Sequence, residues 1–409
     1  MKQITGGVCA ANGFLASGIH CGIRKNKSKH DLALVYSKFP CTAAAVYTLN
    51  RVKGAPLTVT KNNIADGTAQ AVICNSGIAN TCCADGIEKA NMMCELAAKE
   101  LGIKASDVIV ASTGVIGQPL PIEPIANALP ELAASLSENG NDLAAKAIMT
   151  TDTVEKQIAF EFECGGKTCK IGGMAKGSGM IHPNMATMLV FLTTDAAIEA
   201  KLLQKALSDL IVDTFNMVSV DGDTSTNDMV SVMANGAAGN ATVTDADSED
   251  YKAFKAAVYE ILATLSNPIA KDGEGATKLL TCKVENAPTK VCARAVAKSV
   301  ITSNLFKCAI FGEDANWGRV LCAIGYTKVK PEDEFEIGKV AVTLSSEFGS
   351  VAVCENGAGV DFSEEIAAKV LSSDEILVTV DMGLGEFDAT AWGCDLTYEY
   401  VKINGDYRT

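Results

Sequence analysis

Positive charge is scarce in this 409-residue chain: 35 Lys and Arg face 49 Asp and Glu, giving a formal charge of −14 and an isoelectric point near 4.8. A nucleic-acid backbone demands clustered cations, and no basic stretch is longer than Arg24 to Lys29, so nucleic acid is not expected as a ligand. Long apolar runs are missing as well. No segment approaches the ~18 apolar residues that span a bilayer, and Lys2 is followed by no apolar signal core before Gly18, so a soluble cytoplasmic protein is expected. No CxxC pair begins a zinc site; Cys82-Cys83 and Cys164 with Cys169 come nearest, and no metal is expected. The 15 cysteines are odd in number and irregularly spaced. Cys74, Cys94, Cys308, Cys322 and Cys354 sit in apolar contexts and read as small buried hydrophobes of a reducing cell, not as a disulfide framework.

Nucleotide and calcium signatures are also incomplete. Gly172 to Ser178 lacks the Gly-Lys-Ser/Thr order of a phosphate loop, and Gly383-Leu384-Gly385 lacks the third glycine of a dinucleotide fingerprint. Asp221-Gly222-Asp223-Thr224-Ser225-Thr226-Asn227-Asp228 imitates the opening of a calcium loop, but Thr226 and Val232 stand where that motif needs glycine and glutamate. Of the three histidines, only His182 lies in a motif.

What is present is apolar content of 48%, ample for a large core, in a length that suits two or three domains. From about Ala71 onward, β-rich runs alternate with helical patterns, the mark of a layered α/β protein. Ala71 to Cys74 and Val108 to Ala111 read as buried strands, with a helix from Lys89 to Leu101 between them. Pro121 to Leu136 reads as a further helix. Lys156 to Phe162 and Thr168 to Gly173 alternate around Gly165-Gly166 as a hairpin. Helical stripes cover Ile198 to Phe215 and Glu249 to Leu265. Strands are expected at Val340 to Leu344, Val351 to Cys354, Glu375 to Asp381 and Asp395 to Ile403, with a capped helix from Ser363 to Leu371.

The richest stretch is Lys176-Gly177-Ser178-Gly179-Met180-Ile181-His182-Pro183-Asn184-Met185-Ala186-Thr187-Met188-Leu189, a glycine-bearing loop that runs into a threonine opening an apolar strand. Gly177 and Gly179 permit backbone angles closed to other residues, and Pro183 stiffens the approach. Such a loop can turn the Thr187 hydroxyl on the preceding Ala186 carbonyl. Hydrolysis of the resulting ester frees a Thr187 α-amine of reference pKa roughly 7.7 to 8.0, so that nucleophile and base belong to one residue; His182 is then not needed as a base. The plainer reading is a β-branched residue that opens a strand for steric reasons alone.

This loop resembles the hallmark of the glutamate N-acetyltransferase family of arginine biosynthesis, also called ornithine acetyltransferase. The resemblance extends through Ala44 to Arg51, Asn75-Ser76-Gly77, Ala111-Ser112-Thr113-Gly114-Val115-Ile116-Gly117, Asp221 to Asp228, Gly312 to Arg319 and the tail Ile403 to Thr409, so it covers the chain nearly end to end. It implies a layered α/β sandwich of the self-processing, DmpA-like type, cleaved between Ala186 and Thr187 into an α chain (1–186) and a β chain (187–409) that assemble as an α2β2 heterotetramer. It further implies a ping-pong transfer of acetyl from N2-acetyl-L-ornithine to L-glutamate through an acetyl-Thr187 intermediate. Thr113 and Gly114 inherit the oxyanion hole. Thr150, Lys176, Thr187, Glu274, Asn404 and Thr409 inherit the substrate contacts. No cofactor is implied; some members also take acetyl-CoA as donor, and the sequence leaves that activity open. One departure is Ile78, where the family commonly has asparagine. Two rivals remain: an amidohydrolase or aminopeptidase on the same scaffold, with water as acceptor, and a non-catalytic small-molecule binding protein that keeps the fold.

Overall fold

The computed structural model describes residues 1–182 and 188–406. In chain order the strands are β1 (Lys2–Ile4), β2 (Phe14–Ile19), β3 (Leu32–Tyr47), β4 (Thr68–Ile78), β5 (Val108–Val115), β6 (Lys156–Cys164), β7 (Lys167–Lys176) and β8 (Leu189–Thr194). They continue with β9 (Val218–Ser219), β10 (Met229–Ala234), β11 (Leu279–Ala287), β12 (Ala341–Ser346), β13 (Gly349–Glu355), β14 (Ala358–Gly359), β15 (Glu375–Asp381) and β16 (Phe387–Cys394). The helices are α1 (Ala55–Asn63), α2 (Gly86–Leu101), α3 (Ile122–Ala134), α4 (Asn141–Ile148), α5 (Ala200–Leu210) and α6 (Glu249–Lys271). Then follow α7 (Lys290–Thr302), α8 (Asn304–Phe311), α9 (Trp317–Gly325), α10 (Glu364–Leu371) and α11 (Tyr398–Gly405). The described residues form two compact units: 1–177, 188–212 and 224–265 in the first, and 178–182, 213–223 and 266–406 in the second.

The first unit is built on a nine-stranded mixed sheet, ordered β1-β6-β7-β8-β10-β3-β4-β5 with β2 added to β3. Because side chains alternate across a strand, the apolar runs of β3, β4 and β5 bury both faces. Leu32, Leu34, Ala71, Ile73, Val108 and Val110 pack with the apolar sides of α2 and α3. The residues between them, Ala33, Val35, Val72, Cys74, Ile109 and Ala111, pack with Ala144, Ala145, Ala147 and Ile148 of α4. The sheet is therefore the middle of three layers. The strand β3 tolerates Pro40 because its register with β4 slips between Tyr36 and Cys41, a bulge where no ladder N–H is needed.

The second unit carries a seven-stranded sheet, β14-β13-β12-β15-β11-β16-β9. Here β11 runs parallel to β15, while β12 is antiparallel to both β13 and β15. Its core joins Leu280, Cys282, Val284, Val342, Leu344, Val378 and Val380 to Ala293, Val296 and Val300 of α7 and to Val370 and Leu371 of α10. Two lysines, Lys307 buried and Lys298 half-buried, brace the short β9. Lys298 Nζ donates to the carbonyls of Asn216 (2.5 Å) and Val218 (2.7 Å), and Lys307 Nζ donates to the Val220 carbonyl. Burial lowers the Lys298 amine to about 7.

Two expectations are corrected. The segment Asp395 to Ile403 is not a strand: β16 ends at Cys394 and α11 follows. Its alternating Tyr, Val and Ile satisfy a strand pattern, but the Asp395 carboxylate turns back to accept the N–H groups of Thr277 (2.9 Å) and Lys278 (3.1 Å). The Thr397 hydroxyl then caps Tyr400 N at 3.4 Å and starts a helix. Cys74, Cys94 and Cys354 are buried as expected, whereas Cys308 and Cys322 are exposed. Both lie on helices, α8 and α9, whose core-facing positions are taken by Phe306, Ala309 and Ile310 and by Val320, Ala323 and Ile324, which leaves the cysteines on the opposite sides. No helix among the described residues is long and apolar enough to cross a membrane.

Candidate functional site

In the first unit, β4 and β5 run parallel and end together, pairing Asn75 with Ser112, Ser76 with Thr113 and Gly77 with Gly114 before the register slips at Ile78. Gly114 has φ of +131°. A Cβ there would sit 2.2 Å from the Gly77 carbonyl carbon, so the two backbones meet at a distance only glycine allows. The Thr113 hydroxyl is half-buried and makes no hydrogen bond among the described residues, so it remains available as a donor.

The turn is held from behind by buried amides. Ser112 Oγ donates to Asn75 Oδ1 at 2.6 Å, and Asn75 Nδ2 donates to the Ile78 carbonyl at 2.9 Å. Asn227 does more. Its Nδ2 donates to the carbonyls of Ala79 (2.6 Å) and Ser112 (2.9 Å), and its Oδ1 accepts from the hydroxyls of Thr81 (2.5 Å) and Thr226 (2.6 Å). One side chain thus ties the exits of β4 and β5 together, immediately before Thr113. Asn227→Asp removes both donors and sets a carboxylate oxygen against two carbonyls. We expect a loss of about 2 to 3 kcal/mol in stability, read by thermal denaturation, and a fall in kcat larger than any rise in KM.

At the end of β7, Lys176 is buried and its ammonium makes no hydrogen bond or ion pair among the described residues. Beside it lies Asp152, which sequence reasoning did not single out. The Asp152 carboxylate accepts from Lys156 Nζ (2.8 Å), from Thr150 N (3.0 Å) and from Gly177 N (2.7 Å). It therefore fixes Thr150 and the residue after Lys176 to one anchor. Burial alone would raise its pKa, but the Lys176 and Lys156 charges and these hydrogen bonds hold the carboxyl well below the usual range. A carboxyl so depressed adds stability that is complete above about pH 4 and is lost as pH falls further toward its native value. Asp152→Asn breaks the buried Lys156–Asp152 ion pair and should cost about 3 to 5 kcal/mol at neutral pH. The gap in stability between wild type and variant should narrow below about pH 4, as measured by denaturation at several pH values. Asp228, at the head of β10, contrasts with it. Burial pushes its carboxyl well above the usual range despite the Ser225 and Thr48 hydroxyls and the Lys176 charge, and among the described residues its Oδ2 has no hydrogen-bond partner.

In the second unit, Ser178 to His182 is fixed by backbone and carboxylate together. Asp221 accepts Met180 N (2.6 Å) and Ile181 N (2.9 Å), and Ile181 O accepts Val220 N at 2.7 Å. The Asp221 to Asp228 string thus supplies hydrogen bonds to the backbone. Among the described residues no group of three or more His, Cys, Asp or Glu is arranged to hold a metal ion. His182 Nδ1 lies 3.1 Å from Ser219 Oγ. Burial, and then the Lys298 charge, lowers the imidazole to about 4, so it is neutral near pH 7.

Glu274 is buried in the turn after α6, where its N–H donates to the Ser178 carbonyl at 3.0 Å. Its carboxylate lies over Gly179, where a Cβ would meet Glu274 Cδ at 2.2 Å. Asn404, from α11, donates to Glu274 Oε2 at 2.8 Å. The structure therefore joins Glu274 to Asn404 in the second unit, and Thr113 to Gly114 and Thr150 to the Lys176 loop in the first. Ala186, Thr187 and Thr409 lie outside the described residues. Met188, which follows Thr187 in sequence, is buried, and its carbonyl accepts Met229 N at 2.9 Å where β8 and β10 begin.

In the first unit, donors at paired strand ends and a buried ammonium suit acyl transfer on a small anionic substrate; in the second unit, a buried carboxylate suits a cationic group. Residues 15–409 match the ArgJ family. An arginine biosynthesis bifunctional protein ArgJ from Symbiobacterium thermophilum is 51% identical over 411 residues, covering 100% of both chains. Another, from Clostridium acetobutylicum, is 49% identical, covering 97% of this chain and 96% of its own. The crystal structure of an arginine biosynthesis bifunctional protein ArgJ from Bacillus halodurans is 42% identical over 53% of this chain and 97% of its own, with a TM-score of 0.49. The chain belongs to the ArgJ family.

Proposed function

We infer that this protein is an acyltransferase of arginine biosynthesis that moves acetyl from N2-acetyl-L-ornithine to L-glutamate. The observation that carries this reading is the end-to-end identity with proteins named arginine biosynthesis bifunctional protein ArgJ. In the mechanism proposed here, the precursor cleaves itself between Ala186 and Thr187, giving chains 1–186 and 187–409 that assemble as an α2β2 heterotetramer in the cytoplasm. The Thr187 hydroxyl attacks the acetyl carbon of the donor, and the new α-amine takes the hydroxyl proton and passes it to the departing ornithine nitrogen. The acetyl C–N bond breaks and an acetyl ester on Thr187 forms. The glutamate amine then reverses these steps. One amide is exchanged for another, so the transfer itself requires no activated donor.

The Thr113 hydroxyl and the Gly114 N–H are assigned to the oxyanion of each tetrahedral intermediate, which the hydroxyl's lack of another partner among the described residues supports. Lys176 is assigned to a substrate carboxylate and Glu274, with Asn404, to a substrate amine, by charge. Thr150 and Thr409 complete the set of proposed contacts, and no cofactor is required. Acetyl-CoA is proposed as a second donor. The reading is tested by following ornithine release from acetylornithine with and without glutamate. Release that depends on glutamate and yields N-acetylglutamate supports transfer; equal release in its absence points to hydrolysis and overturns it.

A further inference from the structure

The longest basic stretch of this acidic chain is built into the first unit as a pinned loop. Residues 20–31 join β2 to β3, and buried Asp31 fixes the stem. Its carboxylate accepts the N–H groups of Cys21 (2.5 Å), Gly22 (3.3 Å) and Arg24 (2.8 Å), while its carbonyl accepts Ser76 N at 2.9 Å. The Arg24 guanidinium donates to the carbonyl of Met149, the residue before Thr150. A Cβ on Gly77 would lie 3.0 Å from Arg24 Cγ, and Gly77 is the residue that abuts Gly114. The stem therefore stands against the strand ends that carry Thr113 and Gly114. Lys25, Lys27 and Lys29 are exposed, and among the described residues none of their ammonium groups enters an ion pair or a side-chain hydrogen bond.

Three unpaired ammonium groups within five residues repel one another, and a chain of −14 has acidic groups in excess with which they could pair. Their local field favours a multiply charged anion. A donor whose acetyl group must reach Thr113 and Gly114 while its remainder bears several phosphates would meet both requirements. Resting on the acetyl-transfer reading above, we propose that Arg24 to Lys29 forms the phosphate-recognition loop for acetyl-CoA. In that half-reaction the thioester C–S bond breaks as the Thr187 ester forms, and the thiol leaves with the proton taken from the hydroxyl. Glutamate then collects the acetyl group as before.

The test compares wild type with the triple variant K25E/K27E/K29E on three donors: acetyl-CoA, acetyl-pantetheine, which lacks the phosphates, and N2-acetyl-L-ornithine. In the variant the KM for acetyl-CoA should rise by about tenfold or more, and the wild-type dependence of that KM on salt should flatten. The parameters for acetyl-pantetheine and acetylornithine should stay within about twofold, which also reports that the variant folds. An unchanged KM for acetyl-CoA, an equal loss with all three donors, or a wild type that exchanges acetylornithine but never turns over acetyl-CoA overturns the proposal. Failure of wild type on acetylornithine would instead sink the reading on which the proposal rests.

Discussion

Thr187→Ala should remain one chain of 409 residues and exchange no acetyl between acetylornithine and glutamate. The same oxygen is asked to do two jobs: to accept the Ala186 acyl group once, during maturation, and to accept an acetyl group in every turnover. Alanine cannot do either. In the proposed scheme the α-amine is released only by the first event, so the variant also lacks its base and the two losses are not independent. Activity should fall by about 10⁴-fold or more, as when a nucleophile that acts as part of a unit is removed. Thr187→Ser keeps the oxygen and should both cleave and turn over. Denaturing mass analysis reads the first consequence and an exchange assay the second. A variant that cleaves but does not turn over, or the reverse, would separate the two jobs and break the scheme.

Gly114→Ala should be the most damaging change of a single methyl group. The added Cβ would lie 2.2 Å from the Gly77 carbonyl carbon and 2.4 Å from its oxygen, at a φ of +131° that side chains rarely adopt. No rotamer change relieves this, since the clash is between backbones, so the ends of β4 and β5 must move apart. The N–H assigned to the oxyanion moves with them. Loss of a well-aimed donor costs about 10² to 10³ in kcat, with KM little altered because the donor serves the transition state. Thr113→Ala removes a hydroxyl without moving the chain and should cost less. Equal, small effects from both substitutions would show that this turn does not face the reacting carbonyl.

Much of the architecture is legible from local pattern because local pattern causes it. The hairpin of β6 and β7 follows from two alternating runs around Gly165-Gly166, and both glycines take the positive φ a two-residue turn needs. The buried strands β4 and β5 follow from their unbroken apolar runs. The pattern misleads where a polar side chain decides. Asp395 and Thr397 end one strand and start a helix through bonds to Thr277, Lys278 and Tyr400, and no periodicity displays those partners. The cysteines of α8 and α9 sit next to apolar residues in sequence but on the other side of the helix.

The candidate site divides along the same line. The residues assigned to the oxyanion and the substrate lie in the motifs: Thr113, Gly114, Lys176 and Glu274 all come from recognisable strings. The residues that hold them in place are less visible, because their partners are far away in the chain. Asp152 gathers Thr150, Lys156 and Gly177; Asn227 gathers Thr81, Ala79 and Ser112. Their signal is a buried carboxylate or amide whose hydrogen bonds are all internal, and that becomes readable only with the fold.

The most direct measurement is an intact-mass spectrum of the mature protein mixed with N2-acetyl-L-ornithine and no acceptor, then chased with L-glutamate. The account predicts two chains, 1–186 and 187–409, with one acetyl group gained on the second at its first residue and removed on adding glutamate. An unbroken chain, or an acetyl group that appears on another residue or is indifferent to glutamate, would contradict it.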